Sequence, residues 1–137
     1  MSMKVGEKYS IFKTFPASLD RLHLMLKFII DYGKVVGFQT HHLLKLELAM
    51  EEALVNIITY GYAEQEGTVE ITCSTLEKGI RIILRDQGVP FNPLDNAKDP
   101  KPEDPGGYGL FFIRNIMDKI EYEREGDTNV LKLEKYK

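Results

Sequence analysis

The sequence predicts an α+β fold, a two-layer sandwich in which a mostly antiparallel sheet of about five strands carries helices on one face. Three observations predict it. Strand-like and helix-like periodicities succeed each other in the order strand, helix, helix, strand, strand, loop, helix, strand, strand. Two of the strand pairs are joined by turn signatures, Glu77-Lys78-Gly79 and Gly126-Asp127, that read as hairpins. The pattern breaks down once, in a proline- and glycine-rich stretch from Gln87 to Gly107.

Glu7 to Phe15 carries Tyr, Ile, Phe and Thr in strand-like alternation, and Pro16-Ala17-Ser18 ends it. Ser18 is placed to cap a first helix, whose apolar positions Leu19, Leu22, Met25, Leu26, Ile29 and Ile30 repeat at helical spacing until Gly33 and Gly37. Thr40 is placed to cap a second, running from about His41 to Tyr60 with Gly61 as its stop. Strands follow at Thr68–Thr75 and Ile80–Asp86. The long loop then holds Pro90, Pro93, Pro100, Pro102 and Pro105 beside Gly88, Gly106 and Gly107. Loops beyond about 12–15 residues are uncommon in compact domains and are usually binding loops, lids or disordered segments. A last helix is expected from about Tyr108 to Asp118, and strands at Ile120–Glu125 and Asn129–Lys135 close the chain.

At 137 residues the chain fits one domain with a real core. Lys plus Arg number 18 against 21 Asp plus Glu, so the net charge of −3 leaves no broad basic face for nucleic acid. His23 to Ile30 is the most apolar segment, yet Lys27 breaks it and it falls well short of the roughly 20 residues of a membrane span. The N-terminus lacks the basic-then-apolar pattern of a signal peptide, so a cytoplasmic protein without membrane attachment is expected. The single Cys73 lies among strand residues and reads as a small buried hydrophobe.

Rotating the second helix by about 100° per residue gives one apolar stripe of Leu43, Leu46, Met50, Ala53 and Ile57, and another of Leu44, Leu48 and Val55. Such a helix is expected to be buried on most sides. Between the stripes runs a polar seam of Lys45, Glu52, Asn56 and Thr59. Glu52 and Asn56 sit one turn apart at roughly 6 Å, whereas Glu51 points away. A carboxylate and an amide on one face suit Mg²⁺, or the positioning of a hydroxyl for attack on phosphorus, although the same spacing also occurs on solvated helix faces. Asp86-Gln87-Gly88 ends a strand: its carboxylate can accept from an exocyclic amine such as that of adenine, and the same signature also makes an ordinary turn. Gly106-Gly107-Tyr108-Gly109 precedes a helix, where backbone N–H groups attract phosphate or glycines simply form a hinge. Neither the dinucleotide nor the P-loop glycine pattern is present.

In order, Glu52-Ala53-Leu54-Val55-Asn56, Asp86-Gln87-Gly88-Val89-Pro90-Phe91-Asn92-Pro93 and Gly107-Tyr108-Gly109-Leu110 resemble the three nucleotide-binding boxes of the GHKL superfamily, whose ATPase fold is the Bergerat fold. Tyr60-Gly61-Tyr62 and the stretch from Gly107 to Asp118 resemble the bacterial anti-sigma-factor serine kinases of that superfamily. The resemblance covers about residues 7–135 and implies a single ATP-binding kinase domain over residues 1–137, with a mobile lid at about 92–107. It further implies Asn56 as the Mg²⁺ ligand, Glu52 as the general base, Asp86 on the adenine amino group and Gly88 making room for the ring. Gly107 and Gly109 would sit by the phosphates, with Leu110 in the same nucleotide-binding stretch.

By the same resemblance the phosphate of ATP goes to a serine on an anti-anti-sigma protein of STAS fold, the unphosphorylated partner competes with a sigma factor, and the kinase is a homodimer. The alternative is a nucleotide-gated binding module that captures a partner without phosphoryl transfer. Where the family commonly has His after the Asn box, this chain has Tyr60. Lys98, Lys101 and Arg114 are candidates for the γ-phosphate, and Thr128 or Asn129 for a water-mediated touch on adenine. His23, His41 and His42 fall on or beside helices, where core or surface roles are expected, and no helical hairpin with a phosphoacceptor His is expected before the ATP-binding boxes, which disfavours an autophosphorylating histidine kinase.

Overall fold

A computed structural model describes residues 7–63, 65–92 and 113–137. Five strands, β1 (Glu7–Pro16), β2 (Thr68–Leu76), β3 (Gly79–Asp86), β4 (Lys119–Glu125) and β5 (Thr128–Tyr136), form one sheet in the order β1-β2-β3-β5-β4. Every neighbouring pair is antiparallel. Alternation then decides which side is core. Ile11 pairs with Cys73, Cys73 with Ile82, Ile82 with Leu133 and Leu133 with Ile120, so one residue from each strand falls in a single row. Cys73, Ile82 and Leu133 in that row are fully buried, and burial pushes the Cys73 thiol up to about 12, which keeps it an inert part of the core.

Helices α1 (Leu22–Val36) and α2 (Thr40–Asn56) supply the other layer of that core. The packing is tight where they meet, because a Cβ on Gly33 would lie 2.8 Å from Leu43 Cδ2. Gly37, at φ 104°, closes α1 in a left-handed cap, its N–H and that of Phe38 both donating to Gly33 O. The expected N-caps differ. After Ser18 the chain first makes a 3₁₀ turn, Leu19–Arg21, and the Ser18 side chain makes no capping bond. Thr40 is already helical, and Gln39 takes the cap position with its carbonyl accepting from Leu43 N–H.

The apolar stripe of Leu43, Leu46, Met50 and Ala53 is buried as expected. The second stripe is not: Leu44 is 62% and Leu48 38% exposed, because only one side of α2 meets the sheet and α1. Of the expected helix at 108–118, the described part is helical over 113–116 and stops before Asp118. Asp118 instead joins the sheet margin, where its N–H donates to Glu134 O and its carboxylate accepts from Tyr136 N–H. The five strands match their expected ranges to within a residue or so, and the tight turn at Gly126 takes φ 62°.

Candidate nucleotide site

The end of α2 departs from the expected α-helix to Tyr60. From Ile57 to Gly61 the chain widens into a π-helical turn, with Tyr62 N–H donating to Ile57 O five residues back at 3.1 Å. Such turns are rare and are frequently found at functional sites. Here the turn delivers the Gly61 carbonyl to the loop after β3, where Val89 N–H donates to it at 2.9 Å. Gly88 is pressed onto the same group, since a Cβ there would lie 2.4 Å from Gly61 O. Its missing side chain is therefore required by backbone packing behind the pocket, a reason additional to the room for a ring expected from the sequence. Gly88→Ala should push the two backbones apart and cost about 1–3 kcal/mol or more, read as a lower denaturant midpoint.

Three further side chains hold this junction. The Tyr62 hydroxyl donates to Thr68 O and accepts from Gln87 N–H at 2.8 Å, tying the π turn to the start of β2 and the end of β3. Arg124 on β4 donates from Nη1 to Gly88 O at 2.8 Å and from Nε to Gly126 O at 3.0 Å. Tyr60, half-exposed, stacks on Phe91 with ring centroids 6.2 Å apart and 24° between planes. Tyr60 thus braces a ring that lines the pocket.

In front of the junction lies a pocket walled by Ala53, Ile57, Phe91 and Leu131, closed further by Ile113 and Tyr122. Its polar groups come from three elements: Asn56 at the end of α2, Asp86 at the end of β3 and Asn129 on β5. Asp86 is 5% exposed, and its Oδ1 accepts from Gly88 N–H at 2.9 Å and from Asn129 Nδ2 at 3.0 Å. Burial pushes this carboxyl up, against the lowering effect of the Asn129 and Gly88 hydrogen bonds and the charge of Arg124. An apolar slot with a buried carboxylate at its end suits a flat heterocycle carrying an amino group.

Glu52 is half-buried one turn before Asn56 and lies outside the lining of this pocket. Burial, and then Glu51, push its carboxyl up, as a general base requires. Among the described residues no group of three or more His, Cys, Asp or Glu could hold a metal by itself. Magnesium delivered with phosphates takes only one or two protein oxygens, and the Asn56 amide oxygen, on the pocket wall, could serve as one.

The structure thus brings Asn56 and Asp86 into one pocket with Gly88 behind it, and leaves Glu52 outside the lining, one helical turn before Asn56. Gly107, Gly109 and Leu110, with Lys98 and Lys101, lie outside the described residues. Arg114 is exposed and does not line the pocket. Thr128 Oγ1 donates to Asp127, while Asn129 lines the pocket with its amide nitrogen on Asp86 and Val89 O and its oxygen accepting from Tyr122. His23 and His41 are exposed, and His42 packs its ring on His41 and Phe38, in keeping with the structural positions expected of them. Sequence reasoning missed Tyr122, Arg124 and the π turn; alternation placed Tyr122 and Arg124 on the same sheet face as Ile120, but only the strand register sets them against the loop.

A family model described as a histidine kinase-like ATPase domain matches residues 15–135. The chain belongs to this family. Among curated relatives, the serine-protein kinase RsbW of Halalkalibacterium halodurans is 26% identical over 98% of this chain and 87% of its own length. RsbW of Bacillus mycoides is also 26% identical, over 85% of this chain and 78% of its own. Of solved structures, the RsbU and RsbW domains of a Mycobacterium tuberculosis protein superpose with TM-score 0.66 at 12% identity, covering 93% of this chain and about a third (32%) of that one. A blue-light activated histidine kinase domain from Erythrobacter litoralis gives TM-score 0.51 at 15% identity, covering 82% of this chain and 59% of that one. These relationships bear out the resemblance to anti-sigma-factor serine kinases, and the structural likenesses bear out the α+β ATPase fold. Among the described residues no helix is long and apolar enough to cross a membrane.

Proposed function

We propose that this histidine kinase-like ATPase domain binds ATP with magnesium and phosphorylates a serine on an anti-anti-sigma protein of STAS fold, and that it sequesters a sigma factor when that partner is phosphorylated. One observation carries the reading: Asn56 and Asp86, 30 positions apart in sequence, converge on one apolar slot, and Glu52 with its raised pKa stands one helical turn away. The relatives named as serine-protein kinases support the choice of serine over histidine.

Asp86 accepts from the exocyclic amine and the walls Ile57, Phe91 and Leu131 exclude water around the ring. Asn56 would hold magnesium, which supplies neutralisation of charge on the transferring phosphoryl group. Glu52 takes the proton of the partner's serine hydroxyl as the serine Oγ–P bond forms, and the bond between the γ-phosphorus and the bridging oxygen breaks to release ADP. Gly107, Gly109 and Leu110 are assigned to the phosphate side on the resemblance. The active form is read as a cytoplasmic homodimer, with Phe12 and Val35, 69% and 78% exposed, offering apolar surface for it.

Incubation with Mg-ATP and a STAS-fold partner is expected to give phosphoserine on that partner. ATP-dependent capture of the partner with its serine accessible and unmodified would reject the kinase reading in favour of a nucleotide-gated binding module.

A further inference from the structure

The polar end of the pocket is wired in one direction only. Asn129 lies directly opposite Asp86 in the β3–β5 register and is 4% exposed. Its two amide hydrogens go to Asp86 Oδ1 at 3.0 Å and to Val89 O at 2.9 Å, and its own oxygen accepts from the Tyr122 hydroxyl. Because the carboxylate and the carbonyl are both pure acceptors, a flipped amide would set oxygen against two oxygens. The amide therefore has one orientation. Asp86 Oδ1 also accepts from Gly88 N–H, which fills both of its lone pairs. Among the described residues no hydrogen bond reaches Oδ2.

We propose, resting on the nucleotide-binding reading above, that Asn129 locked by Tyr122 is a positioning residue that sets base specificity: it fills Asp86 Oδ1 and leaves Oδ2 as the acceptor offered to the base, so the pocket takes a 6-amino purine and rejects a 6-oxo purine. An amino group donates to Oδ2. A 6-oxo group would bring a second acceptor against it in a site with little water, and such an unmatched buried pair costs far more than a lost bond in solvent. The same wiring keeps the carboxylate an acceptor. The groups acting on it are Asn129 from β5, the Gly88 N–H from its own loop and the charge of Arg124 from β4, while Tyr122 from β4 and Asn56 from α2 share the pocket wall with it. With Asn129 removed, one of the two hydrogen bonds that oppose protonation is lost, and a protonated acid donates to a 6-oxo group instead of repelling it.

The test is titration of the full chain, in magnesium, with ATP and with ITP, which differ at the 6-position. Wild type is expected to prefer ATP by about 10–100-fold. Tyr122→Phe should narrow that preference by about 3–10-fold, and Asn129→Leu should remove most of it. Tyr122→Phe keeps its ring in the wall and carries the test if Asn129→Leu does not fold. A role in structure alone would weaken both nucleotides together, so an unchanged ATP-to-ITP ratio in the variants overturns the inference. Equal binding of both by wild type overturns it while leaving the nucleotide site standing, and uptake of neither defeats the functional reading as well.

Discussion

Replacing Glu52 by Gln is expected to lower phosphoryl transfer to the partner's serine by about 10²–10⁴-fold while ATP affinity is retained. The carboxamide matches the carboxylate in shape, and Glu52 does not line the pocket assigned to the base, so binding has no reason to change. Only the capacity to take a proton is lost. Burial, and secondarily Glu51, hold this carboxyl above its ordinary value of 4.5, so the rate should fall on the acid side at a pH above that value. The stability sign is opposite to that of a salt-bridged carboxylate. A carboxyl with a raised folded-state pKa binds its proton more tightly when folded, so stability declines as pH rises from the unfolded value through the folded one. Glu52→Gln removes that decline and should leave the apo protein as stable as wild type at neutral pH or slightly more so. Steady-state rates with Mg-ATP and partner, beside a thermal melt, check both halves; undiminished transfer would strip Glu52 of its role as base.

Most of the fold could be read in advance because its signals are local. The strands of the two hairpins announce themselves by alternation and by Glu77-Lys78-Gly79 and Gly126-Asp127, and the observed strands β2, β3, β4 and β5 follow those bounds closely. Asn56 stood out as a polar position on a largely apolar helix and Asp86 as the carboxylate that ends a well-patterned strand, and both line the pocket. What escaped depends on distant partners. The π turn exists where the Gly61 carbonyl meets Val89 N–H, a bond across 28 positions that leaves no periodicity behind. Exposure of Leu44 and Leu48 follows from α2 having, among the described residues, a neighbour on one side only, which a helical wheel does not know. The lock of Tyr122 on Asn129 and of Asn129 on Asp86 needs the register of three strands at once.

Asp86→Asn should separate binding from stability more sharply than any other change. The new carboxamide can keep its oxygen toward Gly88 N–H and Asn129 Nδ2, the donors that Oδ1 accepts now, which turns its nitrogen to the place of Oδ2. An acceptor facing the base becomes a donor. A 6-amino purine then meets a donor with a donor inside an apolar slot, and ATP affinity should fall about 100-fold or more. The apo protein has no such loss to bear. Burial raises the Asp86 carboxyl above its ordinary 3.8, so the ionised form costs the fold stability at neutral pH, and the neutral amide removes that cost. The melting temperature without nucleotide should therefore hold or rise. With ligand at 100 times the wild-type dissociation constant, stabilisation of about 2.7 kcal/mol should shrink to about 0.4 kcal/mol in the variant. Calorimetric titration and paired melts with and without Mg-ATP measure both quantities. ATP binding at wild-type strength would mean that the base does not rest on this carboxylate, and a parallel drop in apo stability would mean that the charge serves the loop rather than the ligand.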